Sequence, residues 1–218
     1  ALMSEKRKIL LTIVLFGSVW GGLEALVSAA SQEMSFVMPR SVILAFIAIV
    51  MLTSARLLLP KSGTTLAVGL VAAGFKLLSL PDLLACQIAA VIGQAAILEI
   101  AFGLAKSGKW LDRPALLAVT VVVASYLNSI MFGFSQAYLF RNEFWLDRGV
   151  TGLLNWSFGT GSAAALASVI GALLAYALVH SRKESWEALT ERRTVAFVRS
   201  AIAISLCSWL VGLLVVTP

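Results

Sequence analysis

The stretch Phe16–Ala30, FGSVWGGLEALVSAA, places Gly17, Gly21, Ala25 and Ala29 at every fourth position of an apolar run. That spacing puts small side chains on one slowly turning stripe of a helix, and such stripes let two membrane helices approach closely. Trp20, Glu24 and Ser28 form the neighbouring stripe. Glu24 needs a reason, because a carboxylate inside a spanning helix is costly unless it is paired, protonated or wetted. One helix therefore carries a close-packing face and, beside it, a polar face.

Composition sets the class in which that helix belongs. Of 218 residues, 60% are hydrophobic and 13% charged, and the mean hydropathy is +0.94. Soluble domains do not reach such values, whereas polytopic helical membrane proteins do. The expected fold is all-α, a polytopic membrane helix bundle of six to seven transmembrane helices. Strand alternation is absent, which argues against a barrel. Cys86 and Cys207 lie in separate apolar runs and His180 is the single histidine. No metal site and no cofactor is expected from so sparse a donor set.

Seven apolar segments run at about 9–30, 41–59, 64–80, 83–105, 115–139, 151–180 and 195–216. The third is short, near the lower limit for spanning. Lys6-Arg7-Lys8 precede the first segment and predict a cytoplasmic N-terminus. Under that orientation, 13 of the 17 Lys and Arg fall on the inner side and only Arg40, Arg141 and Arg148 on the outer side. The net charge of +6 thus reads as membrane orientation, and no nucleic-acid partner is expected. Four regions follow: a cytoplasmic segment 1–8, a six-helix bundle 9–180, a cytoplasmic interfacial linker 181–194 and an additional C-terminal transmembrane helix 195–218. Localisation in the cell (inner) membrane, as a multi-pass protein, is the corresponding expectation. Two outer loops carry apolar residues suited to covering something, 31–40 with Met34 and Phe36, and Phe140–Val150 with Phe144 and Trp145.

Polar groups within the segments gather in the outer half. At a rise of about 1.5 Å per residue, Glu24 lies roughly 22 Å along its helix and Lys76 roughly 18 Å along its own. Asn128 is central in the fifth segment, and Asn155 and Trp156 open the sixth. These positions predict an outward-facing pocket with Glu24, Lys76, Asn128 and Asn155 as polar anchors and Trp20 and Trp156 as walls. The structural alternative is that Glu24 pairs with Lys76 and the amides join helices. Glu99, deeper on the inner side, is expected to pair with a basic inner loop or to contact a cytoplasmic partner.

The third and fourth segments, from Arg56–Pro60 and Lys61-Ser62-Gly63-Thr64 through LAVGLVAAGFKLLSLPDLLACQIAAVIGQAAILEIAFGL, resemble the substrate-binding S components of energy-coupling factor (ECF) vitamin transporters. The likeness extends over about residues 9–180. It includes the small-residue pattern on the first helix, which in that family docks on a transmembrane coupling subunit. The resemblance implies Gly17, Gly21, Ala25 and Ala29 as partner-docking residues. It also implies capture of a small organic, vitamin-like or precursor solute from outside, with uptake driven by partner ATPase and coupling subunits. The seventh segment departs from the family's usual six spans. No GxxxxGK[ST] motif occurs, so any ATP hydrolysis falls to partners.

Two other classes compete. An accessory subunit of a larger membrane complex would use the small stripe and the seventh helix as interfaces. A membrane-embedded enzyme is the weakest, since no histidine lies within a span to activate Ser162 of the GTGS run. The protein is therefore not expected to be an enzyme.

Overall fold

The computed structural model describes residues 4–33, 40–78, 85–104, 111–191 and 194–216. Side chains at 29, 31–33, 76–78, 85, 191, 215 and 216 lie outside that description. The outer loop 31–40 therefore falls largely outside it, at 34–39. The helices are α1 (Glu5–Glu33), α2 (Arg40–Leu58), α3 (Thr64–Leu78), α4 (Ala85–Leu104), α5 (Pro114–Phe134), a short α6 (Glu143–Leu146), α7 (Gly149–Glu191) and α8 (Thr194–Val216). Six of them are long and apolar enough to cross a membrane, and α3 is a shorter apolar helix. The chain is an all-α, multi-pass membrane bundle.

Each apolar segment read from the sequence appears as a helix, because runs without Pro and with few polar groups have no other way to satisfy their backbone in lipid. The turn Leu59–Gly63 reverses the chain between α2 and α3. Gly63 sits there at φ +86°, a conformation that side chains disfavour. Thr65, in the first turn of α3, meets Glu99 near the end of α4. The two helices are thus antiparallel, and α3, at 15 residues, is shorter than the six helices long enough to cross a membrane.

Residues 181–194 depart from expectation. The expected surface linker is a continuation of α7 as far as Glu191, and α8 begins at Thr194. SRKESWEALTE contains neither Gly nor Pro, and most of its residues favour helix, so nothing stops the helix at the end of the apolar run. Trp186 in this extension packs against Phe16 of α1 and Phe197 of α8, with ring centroids 6.2 and 5.3 Å apart.

The dry core sits between α2, α3, α4 and α5, where Ile49, Leu52, Val68, Leu98, Phe102, Leu117 and Val121 are buried. Lipid is as apolar as these side chains, so close packing rather than water exclusion holds the helices together. The glycines of α1 illustrate this. A Cβ at Gly17 would lie 2.5 Å from the Val71 Cβ and 2.8 Å from the Val68 carbonyl oxygen. One at Gly21 would overlap the Phe75 ring, 2.6 Å from its Cγ. Both glycines, expected as docking residues for an outside subunit, are therefore placed in the internal α1–α3 contact. Ala25 is also buried, and the side chain of Ala29 lies outside the described residues.

Helix α8 closes the other side of α1. Trp209 packs on Phe75 with centroids 4.1 Å apart and ring planes tilted by 40°, and donates from Nε1 to the Ser18 hydroxyl at 3.2 Å. Gly22 faces Ser208, whose Cβ would be 3.1 Å from an added Cβ. The C-terminal helix is thus part of the bundle.

A polar cavity and an ion-pair knot at opposite ends

Five helices enclose a cavity of about 190 Å³ in the half of the bundle away from the basic loops. Helix α1 contributes Trp20 and Glu24, one turn apart and both nearly fully buried. Helix α5 brings Asn128, Ser129 and Phe132; α7 brings Trp156 and Thr160; α4 brings Gln94; α2 brings Ser41. Spacings of three and four residues place each group on one face of its helix, so the sequence pattern alone aims them together once the helices pack. Close approach of α5 and α7 is permitted by Gly161, where a Cβ would lie 3.0 Å from the Ser129 hydroxyl.

Four of the six expected site residues, Trp20, Glu24, Asn128 and Trp156, thus line one cavity. Asn155 does not: it is exposed, because it lies about 100° around α7 from Trp156. The side chain of Lys76 lies outside the described residues, and no described residue of α3 lines the cavity. Gln94, Ser129, Phe132 and Thr160 are site residues that the sequence reading did not select. Gln94 was detectable as an amide within a span, whereas Ser129, Thr160 and Phe132 are too ordinary in membrane helices to stand out.

The cavity narrows inward into a space of about 20 Å³ that shares Gln94, Asn128 and Ser129 and adds Ser125 and Ser168. Ile49 and Leu98 form its floor and belong to the dry core. At its other end stands an aromatic roof. Trp145 of α6 meets Trp156 edge-on at 4.7 Å and Phe132 edge-on at 5.6 Å. Arg148 holds this group from outside, its guanidinium 4.4 Å from the Phe144 ring centroid. A π-turn at Ser135–Leu139 ends α5, where Phe140 N–H donates to Ser135 O at 2.9 Å. The extra residue in that turn redirects the chain back across the bundle, a use to which π-turns are frequently put near binding sites.

The opposite end is built differently. Arg56 is 2% exposed and its Nη1 lies 3.0 Å from Glu99 Oε1. Glu99 also accepts from the Gly63 N–H at 2.8 Å, the Thr65 N–H at 3.0 Å and the Thr65 hydroxyl. Arg56 donates in addition to the Lys61 carbonyl. The carboxylate therefore caps the start of α3 from a neighbouring helix, satisfying free N–H groups at the positive end of the helix dipole. The base that Glu99 meets, Arg56, belongs to the last turn of α2 rather than to the expected inner loop, and the pair ties α2, α3 and α4.

Among the described residues, no cluster of His, Cys, Asp and Glu could hold a metal. The fold and the cavity define a class: a multi-pass helical membrane protein with a polar and aromatic cavity in one half. No family model, curated protein or solved structure matches the chain. Its particular role rests on the chemistry of the cavity.

Proposed function

We propose that the protein is the solute-binding membrane subunit of an uptake system and takes a small organic, vitamin-like or precursor molecule from the side opposite the basic loops. The observation that carries this reading is the convergence of Trp20, Glu24, Asn128 and Trp156 from three helices on one cavity. Ligand cavities combine apolar and aromatic walls with a few placed polar groups, and drug-sized ones span about 300–1,000 Å³. At about 190 Å³ the cavity suits a solute of roughly one ring. Such a molecule would lie between the indoles and Phe132, with its polar head towards Glu24, Gln94 and Asn128. The floor of Ile49 and Leu98 blocks passage inward, so release to the other side requires a rearrangement driven by partner ATPase and coupling subunits.

Native mass spectrometry of the protein purified gently from its own membranes tests this. A retained organic molecule, lost in Glu24→Gln and Asn128→Ala but kept in Asn155→Ala, is the expected result. An empty protein that copurifies with other membrane subunits would overturn it. That outcome would favour the accessory-subunit reading, with the partner docked elsewhere than on Gly17 and Gly21, which pack against α3 of the same chain.

A further inference from the structure

A second cavity lies between α1 and α8, away from the solute site. It has a volume of about 340 Å³ and is lined by Leu11 and Val14 on one side and by Ala201, Ile202, Ser205 and Leu206 on the other. Trp209 closes its far end, where the indole is anchored on Ser18 and Phe75. The small side chains of Ala201 and Ser205 form its floor, both buried, while Ile202 and Leu206 stand exposed at its lip. The Ser205 hydroxyl is buried and has no hydrogen-bond partner among the described residues. A buried hydroxyl without a partner is costly, so an acceptor or donor is missing there.

Charge distinguishes the mouth of this groove from its interior. Arg7 is exposed and heads the stripe Arg7–Leu11–Val14, one turn from the groove. Arg199 is exposed and lies three residues before Ile202, about 4.5 Å along α8. Glu5, the acidic residue at this end of α1, is engaged by Lys61 and does not neutralise the arginines. A cationic mouth above an apolar slot, at the basic-loop end of the bundle, complements a molecule with an anionic head and a hydrocarbon chain. Ser205 lies about 9 Å along the helix from Arg199, deep enough to donate to an ester carbonyl below a phosphate.

We propose that the α1–α8 groove binds one anionic phospholipid of the leaflet on the basic-loop side, with its phosphate on Arg7 and Arg199, an ester carbonyl at Ser205 and an acyl chain against Leu11 and Val14. Each nearby Lys or Arg adds measurably to attraction for anionic lipid, so two of them set a preference of about thirtyfold over a zwitterionic lipid. The bound lipid fills the slot between α1 and the C-terminal helix and so links that helix to the bundle.

The test is native mass spectrometry of the full chain in detergent, titrated with palmitoyl-oleoyl phosphatidylglycerol or palmitoyl-oleoyl phosphatidylcholine. One tight phosphatidylglycerol adduct is expected, held about thirtyfold more firmly than phosphatidylcholine. The double variant Arg7→Ala/Arg199→Ala should lose the preference, and Arg113→Ala, exposed on the same side, should keep it. Ala201→Phe should lose the adduct of either lipid. As a readout other than adduct mass, phosphatidylglycerol with brominated chains should quench the Trp209 fluorescence of the parent, identified as the emission that Trp209→Phe lacks. Equal binding of the two lipids, unaltered in the double variant, would overturn the proposal. So would a dimer that Ala201→Phe dissolves, since a second copy would then occupy the groove. Solute occupancy of the other cavity is not expected to change in any of these variants.

Discussion

Glu24 and Glu99 are both carboxylates within apolar helices, yet they sit in opposite kinds of surroundings. Glu99 is enclosed by an arginine, two backbone N–H groups and a threonine hydroxyl, all supplied by the α2–α3 region. Glu24 opens on a cavity of about 190 Å³ beside two indoles and an asparagine. A charged group in a membrane helix is thus not in itself a sign of a binding site. What separates the two is the setting: at Glu99 the donors of α2 and α3 converge on the carboxylate, whereas Glu24 lines a cavity together with indole and amide side chains.

The largest effect that would break this contrast lies at the knot. Arg56→Ala leaves the half-buried Glu99 without its cation; breaking a fully buried pair costs about 3–5 kcal/mol, and the partial exposure of Glu99 puts the expected loss at or below the lower end of that range. Unfolding in detergent should show a strongly destabilised protein, and Glu99→Ala should behave alike. The double replacement by methionine should recover much of the loss, because no uncompensated charge remains. Additive destabilisation in the double variant would mean that Arg56 and Glu99 do not act as a pair.

At the cavity the expected pattern is the reverse. Glu24→Gln should weaken the retained solute by about 1.5–3 kcal/mol, the range for a hydrogen bond to a charged group, while the unfolding midpoint moves little. Titration of the solute into parent and variant checks this. Unaltered affinity together with a large loss of stability would make Glu24 a second structural carboxylate and erase the distinction.

The small stripe sharpens the comparison from a neutral side. Gly21→Leu forces a side chain into the Phe75 ring and should cost about 1–3 kcal/mol in the unfolding of the isolated protein. Gly93→Leu should cost much less, since nothing lies within 4 Å of an added Cβ there. A Gly21→Leu protein of normal stability would return that stripe to the role of an external docking face. The smallest effect is expected at the roof. Trp145→Ala removes edge-on contacts worth about 0.5–1.5 kcal/mol each, so the solute should exchange faster, with the fold intact. Stopped-flow release measurements would detect it.

The helices and their order were legible because lipid admits few backbone solutions, and a run of apolar residues bounded by charge or by Pro and Gly declares itself. Trp20, Glu24, Asn128 and Trp156 were legible for a related reason: polar and indole groups in such runs are costly enough to stand out. Asn155 was misplaced because depth along a helix says nothing of direction around it. The extension of α7 was missed because its charges resemble a loop in hydropathy, although the residues themselves favour helix.

By itself, then, the sequence determined the all-α multi-pass architecture, the segregation of basic loops and the identity of the costly polar side chains, since each follows from local chemistry against a bilayer. Only the tertiary structure decided that Gly17 and Gly21 meet Val71 and Phe75 within the same chain, that Glu99 caps α3 and that α8 closes on α1. Those outcomes depend on which helix lies beside which. Small-residue spacing and hydrophobicity permit many such pairings, and packing of the whole bundle selects one.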